Sequence, residues 1–157
     1  MQTTITPYNY QERILQTIKE NTKGIIVAGT GAGKSYTMGW SIQERIAAGD
    51  SVIVVISPRI LLTQQLFKSI DSLIGKSRTY LDEVHNAVSL EFSKPVKQLS
   101  QIAERMYSYT ATPKRSNSTK GRGNNNEEVY GKIICEVGGK ELIKSGAIVR
   151  PKINYLY

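Results

Sequence analysis

Two short stretches of this chain bring together residue types that could bind and split a phosphoanhydride. Residues 28–35 read AGTGAGKS. Glycines at 29, 31 and 33 let the backbone bend so that successive N–H groups converge on an anion, with Thr30 and Ala32 filling the steps between them. Lys34 could reach the β- and γ-phosphates of a nucleotide, and the Ser35 hydroxyl could bind Mg²⁺. A helix starting here would add its positive end. Further on, within RTYLDEVHNA at 78–87, stands the tetrad Asp82-Glu83-Val84-His85. Asp82 could hold Mg²⁺ through its water shell, and Glu83 could orient and deprotonate an attacking water. Each stretch also has a plain reading, as a glycine-rich turn and as a solvated helix start. The elements around them decide.

Those elements alternate. Ile14, Leu15 and Ile18 recur at helical spacing within residues 10–22. GIIVAG at 24–29 is a short apolar run that feeds the glycines, as a buried strand would. From Lys34 to Ala48, Met38, Ile42 and Ile46 form one stripe, with Gly49 placed as a C-terminal cap. SVIVVI at 51–56 predicts a strand covered on both faces. Pro58 starts a predicted helix reaching roughly Ile70, and RTYL at 78–81 is a weak strand leading to Asp82. A helix is predicted over 95–105 with Val96, Leu99, Ile102 and Ala103 inward. MYSYT at 106–110 reads as a strand, and the polar run 116–128 as a loop. KIICEV then predicts a strand, KELIKSG a short helix with a glycine stop, and IVRPKINYLY an extended tail. Strands alternating with helices imply a mostly parallel sheet with helices on both faces, in one α/β domain over 1–157. Ligands of such sheets bind at the carboxyl ends of the strands, where the glycines, Asp82 and Thr110 would meet.

Composition narrows the classes of function. The single cysteine, Cys135, excludes an internal disulfide and a cysteine metal cluster. Apolar runs such as 52–56 are too short to span a bilayer, and MQTTITPYNY lacks the layout of a secretory signal. The cytoplasm is the expected compartment. A net charge of +8, from 21 Lys+Arg against 13 Asp+Glu, favours a polyanionic partner.

Taken in order, the motifs resemble the first motor lobe of superfamily-two helicases and translocases of the DExH type. The branch resembled includes restriction-enzyme motor subunits and branched-DNA helicases. YNYQ at 8–11 looks like the Q-motif, which implies that Gln11 reads the adenine edge. AGTGAGKS is similar to motif I, and SPRILLTQQ at 57–65 to motif Ia, with Pro58 and Arg59 along a nucleic-acid backbone. DEVH resembles motif II, where His85 links the ATP site to the strand-engaging surface. YTATPKR at 109–115 looks like motif III, in which Thr110 and Thr112 couple hydrolysis to lobe movement, with Lys114 and Arg115 in the basic segment that follows. The tail VGGKELIKSGAIVRPKI resembles the segment that closes this lobe.

The resemblance implies a RecA-like domain with ATP and Mg²⁺ as cofactors. Its implied partners are nucleic acid, DNA ahead of RNA, and a second RecA-like lobe in cis or in trans. Three departures shape the expectations. The interval between motifs Ia and II is short, which suggests an internal shortening between 66 and 81, and no second lobe follows Tyr157. Tyr8 stands near the place where the Q-motif often has an arginine. The leading expectation is an ATP-binding motor lobe that hydrolyses ATP when a second lobe completes it. A non-catalytic, nucleotide-gated module binding nucleic acid or a helicase partner is the alternative. A small-molecule kinase is a third reading, against which the TATP stretch and the lobe-closing tail argue.

Overall fold

The computed structural model describes residues 6–50, 53–54, 64–65, 68, 90–113 and 126–150. The first helix, α1, spans Asn9–Glu20 and buries Tyr10, Gln11, Ile14 and Ile18 along one face. Strand β1, Lys23–Ala28, is buried from Gly24 to Ala28, as its unbroken apolar run requires. Helix α2, Lys34–Ala47, follows the glycine loop. It ends in the predicted glycine cap: Gly49 has φ 96°, and the N–H groups of Gly49 and Asp50 return to the carbonyls of Ile46 and Arg45.

Helix α3, Leu90–Ile102, leads to β2, Met106–Thr110. A single-turn helix, α4, Glu127–Tyr130, precedes β3, Ile133–Val137, and α5, Gly139–Lys144. Gly146 closes α5 at φ 76° by the same paired bonds that close α2.

The three described strands form a parallel sheet in the order β2-β1-β3. Val27 stands opposite Thr110, so the end of β2 lies beside the start of the glycine loop. Ile26 and Ala28 join Tyr10, Ile14, Ile18, Cys135, Val137 and Leu142 in the main core cluster. Alternation along the strand sends Ile25 and Val27 to the opposite face. Helix α4 packs on β1 and β2 and is itself backed by α3. The result is the expected α/β architecture: a parallel sheet flanked by helices, as in a RecA-like domain.

Several boundaries differ from those read in the sequence. Helix α3 begins at Leu90 and runs through Pro95, and Ile102 is 77% exposed instead of inward. It lies in the last turn, where the chain leaves the helix to enter β2. The predicted loop 116–128 ends within α4, whose first residues are Glu127 and Glu128. Of the predicted strand at 51–56 only Ile53 and Val54 are described, and neither is in a strand. β-Branched residues favour a strand only where a neighbour pairs with it. The bulk of the predicted helix from Pro58, the strand at 78–81 and the tail from 151 onward lie outside the described residues. Among the described residues, no helix is long and apolar enough to cross a membrane.

Candidate nucleotide site

The loop between β1 and α2 has the backbone that its glycines imply. Gly31 and Gly33 take φ of 84° and 69°, the left-handed region that L side chains avoid. Gly33 is also the N-terminal cap of α2. The N–H of Ala32 turns back to the Gly29 carbonyl, and those of Tyr36 and Thr37 bond to Gly33. Among the described residues, the N–H groups of Gly33, Lys34 and Ser35 bond to no backbone carbonyl. These are the orphan donors of a helix start, and an anion satisfies them. Ala32, in contrast, is 1% exposed, and its carbonyl accepts from the Tyr10 hydroxyl at 3.2 Å and from Gln11 Nε2 at 3.1 Å. The loop is thereby pinned from below while Thr30 and Gly31 stay exposed.

Lys34 occupies the first position of α2, and its Nζ donates to the carbonyls of Ala28 and Gly29, both at 2.9 Å. Burial holds its pKa below the ordinary lysine value. The ammonium is thus fixed at the base of the loop, and Ser35 follows it in the first turn. Both stand in the first turn of α2, directly after the glycine loop.

The loop packs against elements that are far away in the chain. A Cβ built on Gly31 would fall 2.6 Å from Ile148 Cγ2, one on Gly29 3.1 Å from Leu142 Cδ1, and one on Gly33 2.5 Å from Gln11 Nε2. The cradle is shaped by glycine on every side. This is the observation that fits a triphosphate to residues 28–35: a tight backbone loop, free helix-start donors and one lysine converge there.

Gln11, expected to read the adenine edge, lines the cleft beside the glycine loop. It is 4% exposed, and its amide is engaged at both ends. Its Oε1 accepts the Tyr8 N–H at 2.9 Å, capping α1, while Nε2 holds the Ala32 carbonyl. Thr110, at the end of β2, closes on Thr112: its hydroxyl donates to the Thr112 carbonyl at 3.0 Å and accepts the Thr112 N–H at 3.2 Å. The structure therefore brings Gln11, the glycine loop, Lys34, Ser35 and Thr110 to one rim of the sheet. Pro58, Arg59, Asp82, Glu83, His85, Lys114 and Arg115 lie outside the described residues.

Other residues that the sequence did not assign to the site also lie beside it. Tyr8, Tyr36, Trp40 and Ala147 line a cleft of about 250 Å³ beside Gly31 and Gly33. The spacing of Tyr36 and Trp40 puts both on one face of α2, a signal present in the sequence. The contact of Ile148 with Gly31 spans more than a hundred residues and leaves no local trace. The buried Thr37 hydroxyl donates to the Lys34 carbonyl at 2.8 Å. Beside Thr37 lies the buried hydroxyl of Tyr109, which among the described residues makes no hydrogen bond of good geometry and whose pKa burial raises.

Residues 4–81 match the family described as Type III restriction enzyme, res subunit. Together, match, fold and loop support a helicase-like RecA domain. The match ends at Leu81, one residue before Asp82. No curated protein matches the chain.

Proposed function

We propose that this chain is the ATP-binding first motor lobe of a nucleic-acid-dependent ATPase, a DNA helicase or translocase. The observation that carries the reading is the left-handed Gly31–Gly33 loop with Lys34 at its base, set between a buried parallel strand and α2. In this reading the N–H groups of residues 29–35 and the Lys34 ammonium hold the phosphates. Ser35 and Asp82 hold Mg²⁺, which supplies charge neutralisation at the transferring phosphoryl group. Glu83 takes the proton of the attacking water. His85, Thr110 and Thr112 couple that event to a nucleic-acid surface that includes Pro58, Arg59, Lys114 and Arg115. A second RecA-like lobe, in cis or in trans, closes the cleft and contributes an arginine, a group worth about 10³–10⁵ in rate in other NTPases.

A second reading is a nucleotide-gated binding module without turnover. It requires only the phosphate loop, which lies within the matched residues. Steady-state ATP turnover, with and without single-stranded DNA or RNA, beside the Glu83→Gln variant separates the two. The motor reading predicts turnover that nucleic acid stimulates and that Glu83→Gln removes while nucleotide binding persists. Binding without turnover in both proteins would establish the module instead, and equal turnover in both would remove Glu83 as the base.

A further inference from the structure

A buried hydroxyl lies beneath α2 with its proton undonated. Tyr109 stands on β2, opposite Ile26 of β1 and one residue before Thr110. It packs against the main core cluster, and among the described residues its hydroxyl makes no hydrogen bond of good geometry. Burial raises the pKa of this phenol, which therefore keeps its proton, and the Thr37 hydroxyl is near enough to offset part of that rise. Thr37, in α2, is fully buried. Its hydroxyl has a single proton, which it donates to the Lys34 carbonyl at 2.8 Å. Toward Tyr109 it can therefore only accept. Tyr109 carries the donor that fits. The three groups form a line from the residue before Thr110 to the residue whose ammonium sits at the base of the loop. Within that line, only the link between the two hydroxyls is out of alignment.

Unsatisfied buried donors are rare in folded chains and cost free energy wherever they persist. Here the donor lies under the elements that a phosphate would pull on. Lys34 Nζ is held by the carbonyls of Ala28 and Gly29, both 2.9 Å away. Among the described residues, the N–H groups of Gly33, Lys34 and Ser35 bond to no backbone carbonyl. A phosphate group that recruits these donors pulls on the first turn of α2, the turn to which Thr37 is bonded. We propose that Tyr109 is a positioning residue for the phosphate site: occupation of the loop settles α2 on β2 so that the Tyr109 hydroxyl donates to Thr37. The bond lacking in the free chain is then gained on binding, and only such a difference between two states lets a ligand favour one of them. The bond also fixes Lys34 relative to the strand that leads to Thr110. This rests on the reading of residues 28–35 as a phosphate cradle.

The test reads two quantities on the full chain: affinity for inorganic tripolyphosphate in Mg²⁺ by calorimetry, and stability of the free chain in urea. Tyr109→Phe should lower the affinity by about 5- to 20-fold while the free chain becomes more stable. A residue that only holds the fold together does not move the two in opposite directions. Thr37→Ser, which keeps the hydroxyl, should bind close to the wild type. Thr37→Val, which removes the acceptor, should weaken binding, and adding Tyr109→Phe to it should cost no further affinity. Unchanged tripolyphosphate affinity in Tyr109→Phe would overturn the inference and leave the cradle standing. So would a fall in both affinity and stability, the mark of a hydroxyl already paired in the free chain. A full second loss on combining the two variants would overturn it as well. Failure of tripolyphosphate to bind the folded wild type would remove the cradle itself and the inference with it.

Discussion

At the scale of single residues, the site depends on groups whose charge or hydrogen bonding is set by burial. Lys34 carries a lowered pKa because its ammonium is partly desolvated. Phosphate binding needs that charge, so affinity for inorganic tripolyphosphate should begin to fall at a pH below 10.5, where an ordinary lysine titrates. A titration of affinity against pH reads this, with Lys34→Ala as the reference lacking the inflection. The stability of the free chain should respond in the opposite sense. Between the depressed pKa and 10.5, the unfolded chain keeps a proton that the folded chain has released, so this group's contribution rises with pH. Tyr109 offers a second residue-scale prediction. Among the described residues its buried hydroxyl has no hydrogen bond of good geometry, while the neighbouring Thr37 hydroxyl gives its proton to Lys34. Removing an unsatisfied buried donor relieves its desolvation, so Tyr109→Phe should raise stability by about 1 kcal/mol in urea unfolding. A loss of similar size would show that the hydroxyl is paired in solution.

At the scale of elements, the loop and its two flanking elements act as one part. Gly33 caps α2 in a left-handed conformation and touches Gln11, which in turn caps α1. Gly33→Ala therefore meets two costs at once. The left-handed backbone alone costs roughly 1–2 kcal/mol for a residue with a Cβ, and the new methyl would press on the Gln11 amide. Unfolding in urea should show at least that loss, together with weakened nucleotide binding; unchanged stability would contradict the loop geometry. Much of this level was legible in the sequence. The spacing of Ile14 and Ile18, the run into Gly29 and the stops at Gly49 and Gly146 are local signals, and all appear in the fold. Ile102 departs from the expected inward face because helical periodicity does not say where the last turn ends. The bond from Gln11 to the Ala32 carbonyl was not legible, since it depends on how α1 meets a loop about twenty residues later. Nor was the press of Ile148 on Gly31, which only the fold brings together.

At the scale of the whole molecule, the parallel order β2-β1-β3 sets Thr110 beside the strand that feeds the phosphate loop. Thr110 and the loop at 28–35 are then neighbours on one sheet edge, an arrangement that suits the proposed coupling between them. The net charge of +8 favours long-range attraction to a polyanion. Ion pairs between elements add little to this frame. Lys19–Glu44, which joins α1 to α2 at 2.9 Å, is about half exposed at both ends, and such pairs contribute roughly 0–1 kcal/mol. Cohesion comes instead from the apolar cluster that α1, β1, β3 and α5 share.

Every functional statement rests on residues 28–35 being a nucleotide cradle, and one measurement tests that most directly. Mg-ATP is titrated calorimetrically into the wild-type chain and into Lys34→Ala, with circular dichroism confirming that both are folded. The account predicts saturable one-site binding to the wild type and its loss in the variant. Equal affinity in the two proteins, or no binding to the folded wild type, would contradict it.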